Sequence, residues 1–207
     1  MKINLGLKIM IFTFILLAVS NGVLIYFSYR TAYVDLEKSI GLQLEAIATT
    51  GALMLDGDLH DQIRSNADAD SEAFKKLQKI LRMIKEKNNL KEEIYTFRRV
   101  GEELQFIVMS HEKPFIGDTY QIRKEMWPTF NDGKSSHTGI FEDAHGIWIS
   151  AYAPILDSKG NLSGILDVDI RLEKFLEALS VKTRRLVIVS FSILITALLF
   201  SFLLAKG

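Results

Sequence analysis

The sequence predicts an α+β domain held between two membrane-spanning helices, on three observations. Charged residues are absent from 9–29 and from 186–205, stretches of 21 and 20 residues, and about 20 apolar residues cross a bilayer's hydrocarbon core as a helix. Between them, apolar residues recur with a helical period over 31–55 and 71–87 and then with a period of two, the mark of strands. All 25 acidic residues lie between Asp35 and Glu177, which gives the intervening segment a water-facing surface.

The first span, 9–29, follows Lys2 and Lys8. A signal peptide is the alternative reading, with Ala18-Val19-Ser20 as a small-residue cleavage site. The apolar run continues past that site to Tyr26, Phe27 and Tyr29, aromatic residues that suit a membrane interface, so an uncleaved span is expected. The second span is 186–205. Basic residues before the first span favour an inside N-terminus, although Lys182, Arg184 and Arg185 point the other way. Ala18 with Gly22 and Ala197 with Ser201 are small pairs four residues apart, and Asn21 adds a hydrogen-bonding group; such features let membrane helices pair. The expected organisation is 1–8 cytoplasmic, 9–29 spanning, 30–185 extracytoplasmic, 186–205 spanning and 206–207 cytoplasmic. A chain ending in Ala205-Lys206-Gly207 straight after a span reads as a truncated receptor, with a sensor-only protein as the alternative.

Within the domain, Tyr33, Leu36, Ile40, Leu44 and Ile47 recur at steps of three and four and predict a long helix over 31–55. A second helix is predicted over 71–87, capped by Asp70 or Ser71 and buried through Phe74, Leu77, Leu81 and Ile84. Residues 94–100 and 104–110 read as a hairpin turned at Gly101. A loop over 114–121 and a short helix over 122–130 precede three strands, 138–142, 147–155 and 162–170. The last two join through Asp157-Ser158-Lys159-Gly160-Asn161, a turn sequence. The sheet expected is mostly antiparallel, of about five strands, with a helix over 171–181 leading into the second span.

Composition excludes several functions. Five of the 25 basic residues (Lys2, Lys8, Arg184, Arg185 and Lys206) lie outside 30–183, leaving 20 there against 25 acidic ones. No concentrated basic surface exists for nucleic acid. The chain has no cysteine, which excludes thiolate metal sites and thiol nucleophiles. His60, His111, His137 and His145 show no paired metal-ligand spacing. The acidic run from Asp56 to Asp61 lacks the glutamate a calcium loop needs, since Ala67 stands at its twelfth position. Ser135-Ser136-His137 are adjacent, which is not the geometry that activates a nucleophile. No catalytic set, metal or cofactor is expected.

Three stretches in order carry a family resemblance: A-I-A-T-T-G-A-L-M-L-D-G-D-L-H at 46–60, I-G-D-T-Y at 116–120, and G-I-W-I-S-A-Y-A-P-I-L-D-S-K-G-N-L-S-G-I-L-D-V-D-I at 146–170. Together they resemble the Cache (PDC, PAS-like) extracytoplasmic sensor domains of bacterial transmembrane receptors, in the single-Cache form. The resemblance covers 31–181. It implies a long N-terminal helix packed on a PAS-like sheet, a two-pass protein of the bacterial inner membrane, and a HAMP linker with an output domain beyond the second span; the small pairs in the spans add the expectation of a homodimer. It implies a small-molecule ligand of the amino-acid, carboxylate or amine class, with recognition of a protein partner as the alternative.

Candidate site residues follow from strand alternation and from that resemblance. Trp148, Ser150 and Tyr152 share one face of their strand, and Asp167 and Asp169 share one face of theirs. The resemblance implies that an acid near the end of the last strand meets a ligand amine, and Asp169 matches that position better than Asp167. Arg123 can read a carboxylate, with Tyr120 and Trp127 covering an apolar part. The expected ligand-binding set is Tyr120, Arg123, Trp127, Trp148, Tyr152 and Asp169. His111 and His145 border hairpins and are open to a pocket or a pH-sensing role.

Overall fold

The computed structural model describes residues 5–206, so the expected terminal segments 1–8 and 206–207 lie partly outside the described residues. The chain forms two compact units, one being Glu37–Leu172 and the other the segments on either side of it. The flanking unit contains the first part of α1 (Leu5–Ala52) and α5 (Glu173–Lys206). Both helices are long and apolar enough to cross a membrane. Ser190 Oγ donates to Asn21 Oδ1 at 2.8 Å, and Asn21 Nδ2 donates to the Leu17 carbonyl at 3.0 Å. Polar bonds of this kind help hold helices together where no water competes.

In the Glu37–Leu172 unit, α1 buries Ile40, Leu44, Ala48 and Ala52. Ile47, expected on this stripe, is half-buried instead, because small residues let the helix approach closely along a slightly rotated line. A Cβ on Gly51 would lie 3.0 Å from side-chain atoms of Ile84 and Leu166. The acidic run after α1 is helix punctuation: Asp56 caps α2 (Gly57–His60), accepting from the Leu59 N–H at 3.2 Å. α3 (Glu72–Lys87) starts where Ser71 accepts from the Phe74 N–H at 3.2 Å, and it buries Ala73, Phe74, Leu77, Leu81 and Ile84.

Seven strands follow among the described residues: β1 (Tyr95–Val100), β2 (Glu103–Met109), β3 (Thr119–Gln121), β4 (Ser136–His137), β5 (Phe141–Asp143), β6 (Gly146–Leu156) and β7 (Leu162–Arg171). They pair antiparallel in the order β3-β2-β1-β7-β6-β4, with β5 also on β6. The count exceeds the expected five because β3 and β4 are too short for alternation to register. Thr119–Gln121, expected as loop, pairs with β2. The expected strand 138–142 is broken, with β4 and β5 taking different positions along β6. The expected helix 122–130 divides into a 3-10 turn, Lys124–Met126, and α4 (Trp127–Asp132). Pro128 stands in the first turn of α4, where a missing N–H is tolerated, and Gly133 ends the helix at φ 63°.

The sheet has two distinct faces. Ile149, Ala151, Ala153, Leu166 and Val168 are buried on one, where Thr96 and Ser163 also bond His60 of α2. Phe97, Leu104, Met126, Tyr152 and Ile165 form an apolar cluster on the other. Gly164 marks how tightly α2 meets the first face, since a Cβ there would lie 2.5 Å from both His60 Cε1 and the Phe97 carbonyl oxygen. Backbone cannot swing aside, so Gly164→Ala is expected to destabilise the fold by about 1–3 kcal/mol. Unfolding of the full chain in detergent checks this; an unchanged midpoint would mean that β1 and β7 part readily.

Candidate functional site

Register decides which side chains meet. β6 and β7 place Trp148 opposite Arg171, Ser150 opposite Asp169 and Tyr152 opposite Asp167, while β1 brings Tyr95 opposite Asp167 from the other side. These pairs lie on the face that carries the Phe97 cluster. A cavity of about 500 Å³ opens there. Asp167 and Asp169 line it on the central strand, Tyr95, Phe97, Phe106 and Tyr120 on one side, and Phe141, Asp143, His145 and Trp148 on the other, with Glu92, Glu93 and Arg171 also contributing.

The aromatic wall is interlocked. Phe97 stacks on Tyr120 with centroids 5.3 Å apart, and Phe106 lies 4.5 Å from Phe97 and edge-on to Tyr95 at 5.2 Å. Such contacts fix ring orientation beyond what burial alone would do. Trp148 is held differently: its Nε1 donates to Asp143 Oδ1 at 3.0 Å, and the Arg171 guanidinium covers its ring at 4.6 Å.

The acid pair is the unusual feature. Asp167 is 5% exposed. The Oδ1 atoms of both Asp167 and Asp169 are buried with no hydrogen-bond partner among the described residues. Burial, followed by the charge of Asp169, raises Asp167 well above the ordinary carboxylate range. Burial also lifts Asp169, to about 6, against hydrogen bonding from Ser150 and Asp167. Burial and the nearby carboxylates push the Tyr95 phenol up to about 12. A cation placed beside the pair would relieve all three effects at once.

Of the residues singled out from sequence, Tyr120, Trp148 and Asp169 line this cavity. Arg123 stands beside it: its Nε donates to Tyr120 Oη at 2.9 Å, its guanidinium lies 3.8 Å from the centre of Phe141, and its Nη2 is 3.7 Å from Asp143 Oδ2. Tyr152 is fully buried in the apolar cluster beneath the cavity. Trp127 is not brought to the site; it is partly exposed on α4, with the Arg99 guanidinium 4.8 Å over its ring. His145 lines the cavity, whereas His111 lies at a separate surface hollow with Arg82 and Lys85. Sequence reasoning missed Tyr95, Phe97, Phe106 and Phe141. Alternation puts Tyr95 and Phe97 on one face, but nothing local says that β1 neighbours β7. It also ranked Asp167 below Asp169, although Asp167 is the more deeply buried.

No family model matches the chain, and no curated protein matches it. Solved structures do. The sensor domain of the V. cholerae histidine kinase DctB is 17% identical with a TM-score of 0.46, covering 74% of this chain and 58% of that one. The sensory domain of the Campylobacter jejuni chemoreceptor Tlp3, with isoleucine bound, is 17% identical at 0.40 and covers 83% and 63%. The ligand-binding domain of the Pseudomonas aeruginosa PAO1 amino acid chemoreceptor PctC, in complex with GABA, is 18% identical at 0.38 and covers 68% and 66%. The chain therefore spans about three fifths to two thirds of those chains.

Proposed function

We propose that this chain is the sensing and membrane-anchoring part of a receptor, which binds a small molecule bearing a cationic group in the aromatic-walled cavity. The observation that carries the reading is the pair of buried, unpartnered carboxylate oxygens of Asp167 and Asp169 in a cavity of about 500 Å³. Ligand sites are concave and largely apolar, with a few convergent polar groups. A polar floor of this kind favours direct binding over docking of a protein partner. The same reading includes a homodimer, an extracytoplasmic position for the domain, and relay of binding through the second span to a cytoplasmic output region.

Binding rather than catalysis fits the other polar constellation as well. Ser163 Oγ lies 2.9 Å from His60 Nδ1 and donates to Asp61 Oδ1 at 2.7 Å. A serine, a histidine and an aspartate thus meet, but Ser163 and His60 are 6% and 1% exposed. A buried serine offers no approach to a substrate carbonyl.

The chain has two tryptophans, only one of which lines the cavity, and this gives a direct test. Full-length protein in detergent is titrated with amines, amino acids and small carboxylates while tryptophan emission and thermal unfolding are followed. A ligand at about a hundredfold over its dissociation constant stabilises by about 2.7 kcal/mol. The emission change is expected to survive Trp127→Phe and to vanish in Trp148→Phe. Absence of any stabilisation across the three classes would refute the reading.

A further inference from the structure

We propose that the basic face of α5 holds one anionic phospholipid, its phosphate clamped between Lys182 and Arg185 and an acyl chain laid along Leu186 and Val189. This goes beyond the cavity and its ligand, and it rests only on the membrane-anchoring part of the reading above. The site lies wholly on the segment from Glu173 onward, within the flanking unit.

A hollow on α5 carries the inference. Lys174 and Glu177 line the end nearer the domain, Val181, Lys182 and Arg185 the middle, and Leu186 and Val189 the far end. All of these side chains are exposed. The contact side of α5 lies elsewhere on the helix: Ser190 bonds Asn21 of α1, and Leu194, one turn on, is buried. Lys182 and Arg185 are three residues apart, so their side chains are neighbours on the helix surface. Neither they nor Lys174 enter an ion pair among the described residues. Arg98, Arg123 and Arg171, by contrast, each face an acid. The hollow has one carboxylate, Glu177, against those basic groups, so its positive charge is unbalanced.

Position along the helix identifies the anion. The charge-free stretch begins at Leu186, and the headgroup layer outside a bilayer's hydrocarbon is about 5–7 Å deep on each side. At about 1.5 Å per residue, Arg185 and Lys182 stand about 1.5 and 6 Å outside that boundary, in the layer where lipid phosphates lie. Val189 and Leu186 follow them one turn further on, so the same face continues into the hydrocarbon. A soluble anion would meet the charge but gain nothing from that apolar end. These basic residues do not serve the expected orientation either, since positive charge beside a span favours the cytoplasmic side. A bound lipid gives them a role where they stand.

Native mass spectrometry of the full chain in neutral detergent tests the proposal. The probes are phosphatidylglycerol and phosphatidylcholine with identical acyl chains, and glycerol 3-phosphate as the soluble anion. A basic residue beside a lipid surface is worth about fivefold in affinity, so one phosphatidylglycerol is expected to bind at least about tenfold tighter than phosphatidylcholine. Lys182→Gln combined with Arg185→Gln is expected to cut that preference below about threefold. Arg184→Gln is expected to keep it, because Arg184 lies at the same depth but off the hollow, and Glu177→Gln to raise it. Thermal unfolding checks that each variant is folded; should the double variant not fold, Arg184→Gln and Glu177→Gln decide. Equal binding of the two lipids, loss of the preference in Arg184→Gln, no rise in Glu177→Gln, or displacement by glycerol 3-phosphate overturns the proposal. So does a wild-type dimer that excludes lipid and separates in the double variant, which would put a second copy on this face. All of these outcomes leave the anchoring reading standing. Failure of the chain to float with pure phosphatidylcholine vesicles is what removes that reading, and the proposal with it.

Discussion

Asp167→Asn should make the protein more stable and deaf to its ligand at the same time. The native fold holds two acids side by side, each with one buried oxygen that no donor reaches, and burial raises the protonation tendency of both. An asparagine keeps the shape, removes one charge, and offers its amide N–H to Asp169. The expected gain in folding free energy is about 1–3 kcal/mol. The cost falls on recognition: a cationic ligand loses its most deeply buried counter-charge, expected to weaken binding by about 2–5 kcal/mol, or roughly 30-fold to several thousandfold. Unfolding of the full chain with and without a bound amine reads both effects in one experiment. A variant that melts lower than wild type at pH 8 would mean that the acid pair is satisfied in the native protein. The stability gain should also fade near pH 4, where the wild-type pair carries protons.

His60 is expected to dominate the stability of the opposite face. Its Nδ1 meets Ser163 Oγ at 2.9 Å and its Nε2 meets Thr96 Oγ1 at 3.0 Å, joining α2 to β7 and β1. Burial first, and then the charges of Arg98 and Arg64, hold the imidazole down to about 3. Truncation in His60→Ala removes both bonds and leaves a cavity, an expected loss of about 3 kcal/mol from a total that is commonly 5–15 kcal/mol.

The same shift has a pH signature of definite sign. A histidine depressed from 6.5 to about 3 contributes stability that is present above pH 6.5 and is lost as the pH falls towards 3, in all about 5 kcal/mol. The raised acids act in reverse: their contribution is present below about pH 4 and is lost as the pH rises, for Asp169 through about 6. Between pH 4 and 6 the histidine and the acids oppose each other. His60→Gln should therefore become more stable as the pH falls through that window, and the double variant Asp167→Asn with Asp169→Asn less stable. If the two variants show parallel profiles, the assignment of opposite signs is wrong.

Much of the fold was legible because its long elements announce themselves. Phe74, Leu77, Leu81 and Ile84 recur at helical spacing and are buried, and β6 and β7, with 11 and 10 residues, alternate for long enough to be read. The line of contact on α1 was less legible, since Gly41, Ala48, Gly51 and Ala52 are buried there for closeness and carry little hydrophobic signal. Strands of two or three residues give no period at all.

The site was half legible for a related reason. Trp148 and Asp169 lie on the long strands, whose alternation assigns a face without knowledge of neighbours. Tyr95, Phe97, Phe106 and Phe141 reach the cavity only because β1 pairs with β7, β2 with β1 and β5 with β6, a matter of tertiary pairing. Arg123 read as a free guanidinium because nothing in Tyr120-Gln121-Ile122-Arg123 reveals Phe141 and Asp143 beside it.

The alternation along β7 also proof-reads folding. The turn from Asp157 to Asn161 is closed by three bonds to the Asp157 carboxylate, from Lys159 N–H, Asn161 N–H and Asn161 Nδ2, and this fixes how β6 and β7 line up. Were the hairpin to form one residue out of step, Asp167 and Asp169 would turn into the apolar layer beneath α1, while Leu166 and Val168 would face the cavity. An uncompensated acid in that layer is costly, which disfavours the slipped hairpin. The two aspartates thus act as a checksum on strand pairing as well as a receptor for charge. An aspartate at 167 would keep that value in a descendant that had ceased to bind any ligand, so its persistence through evolution would not by itself identify a working sensor.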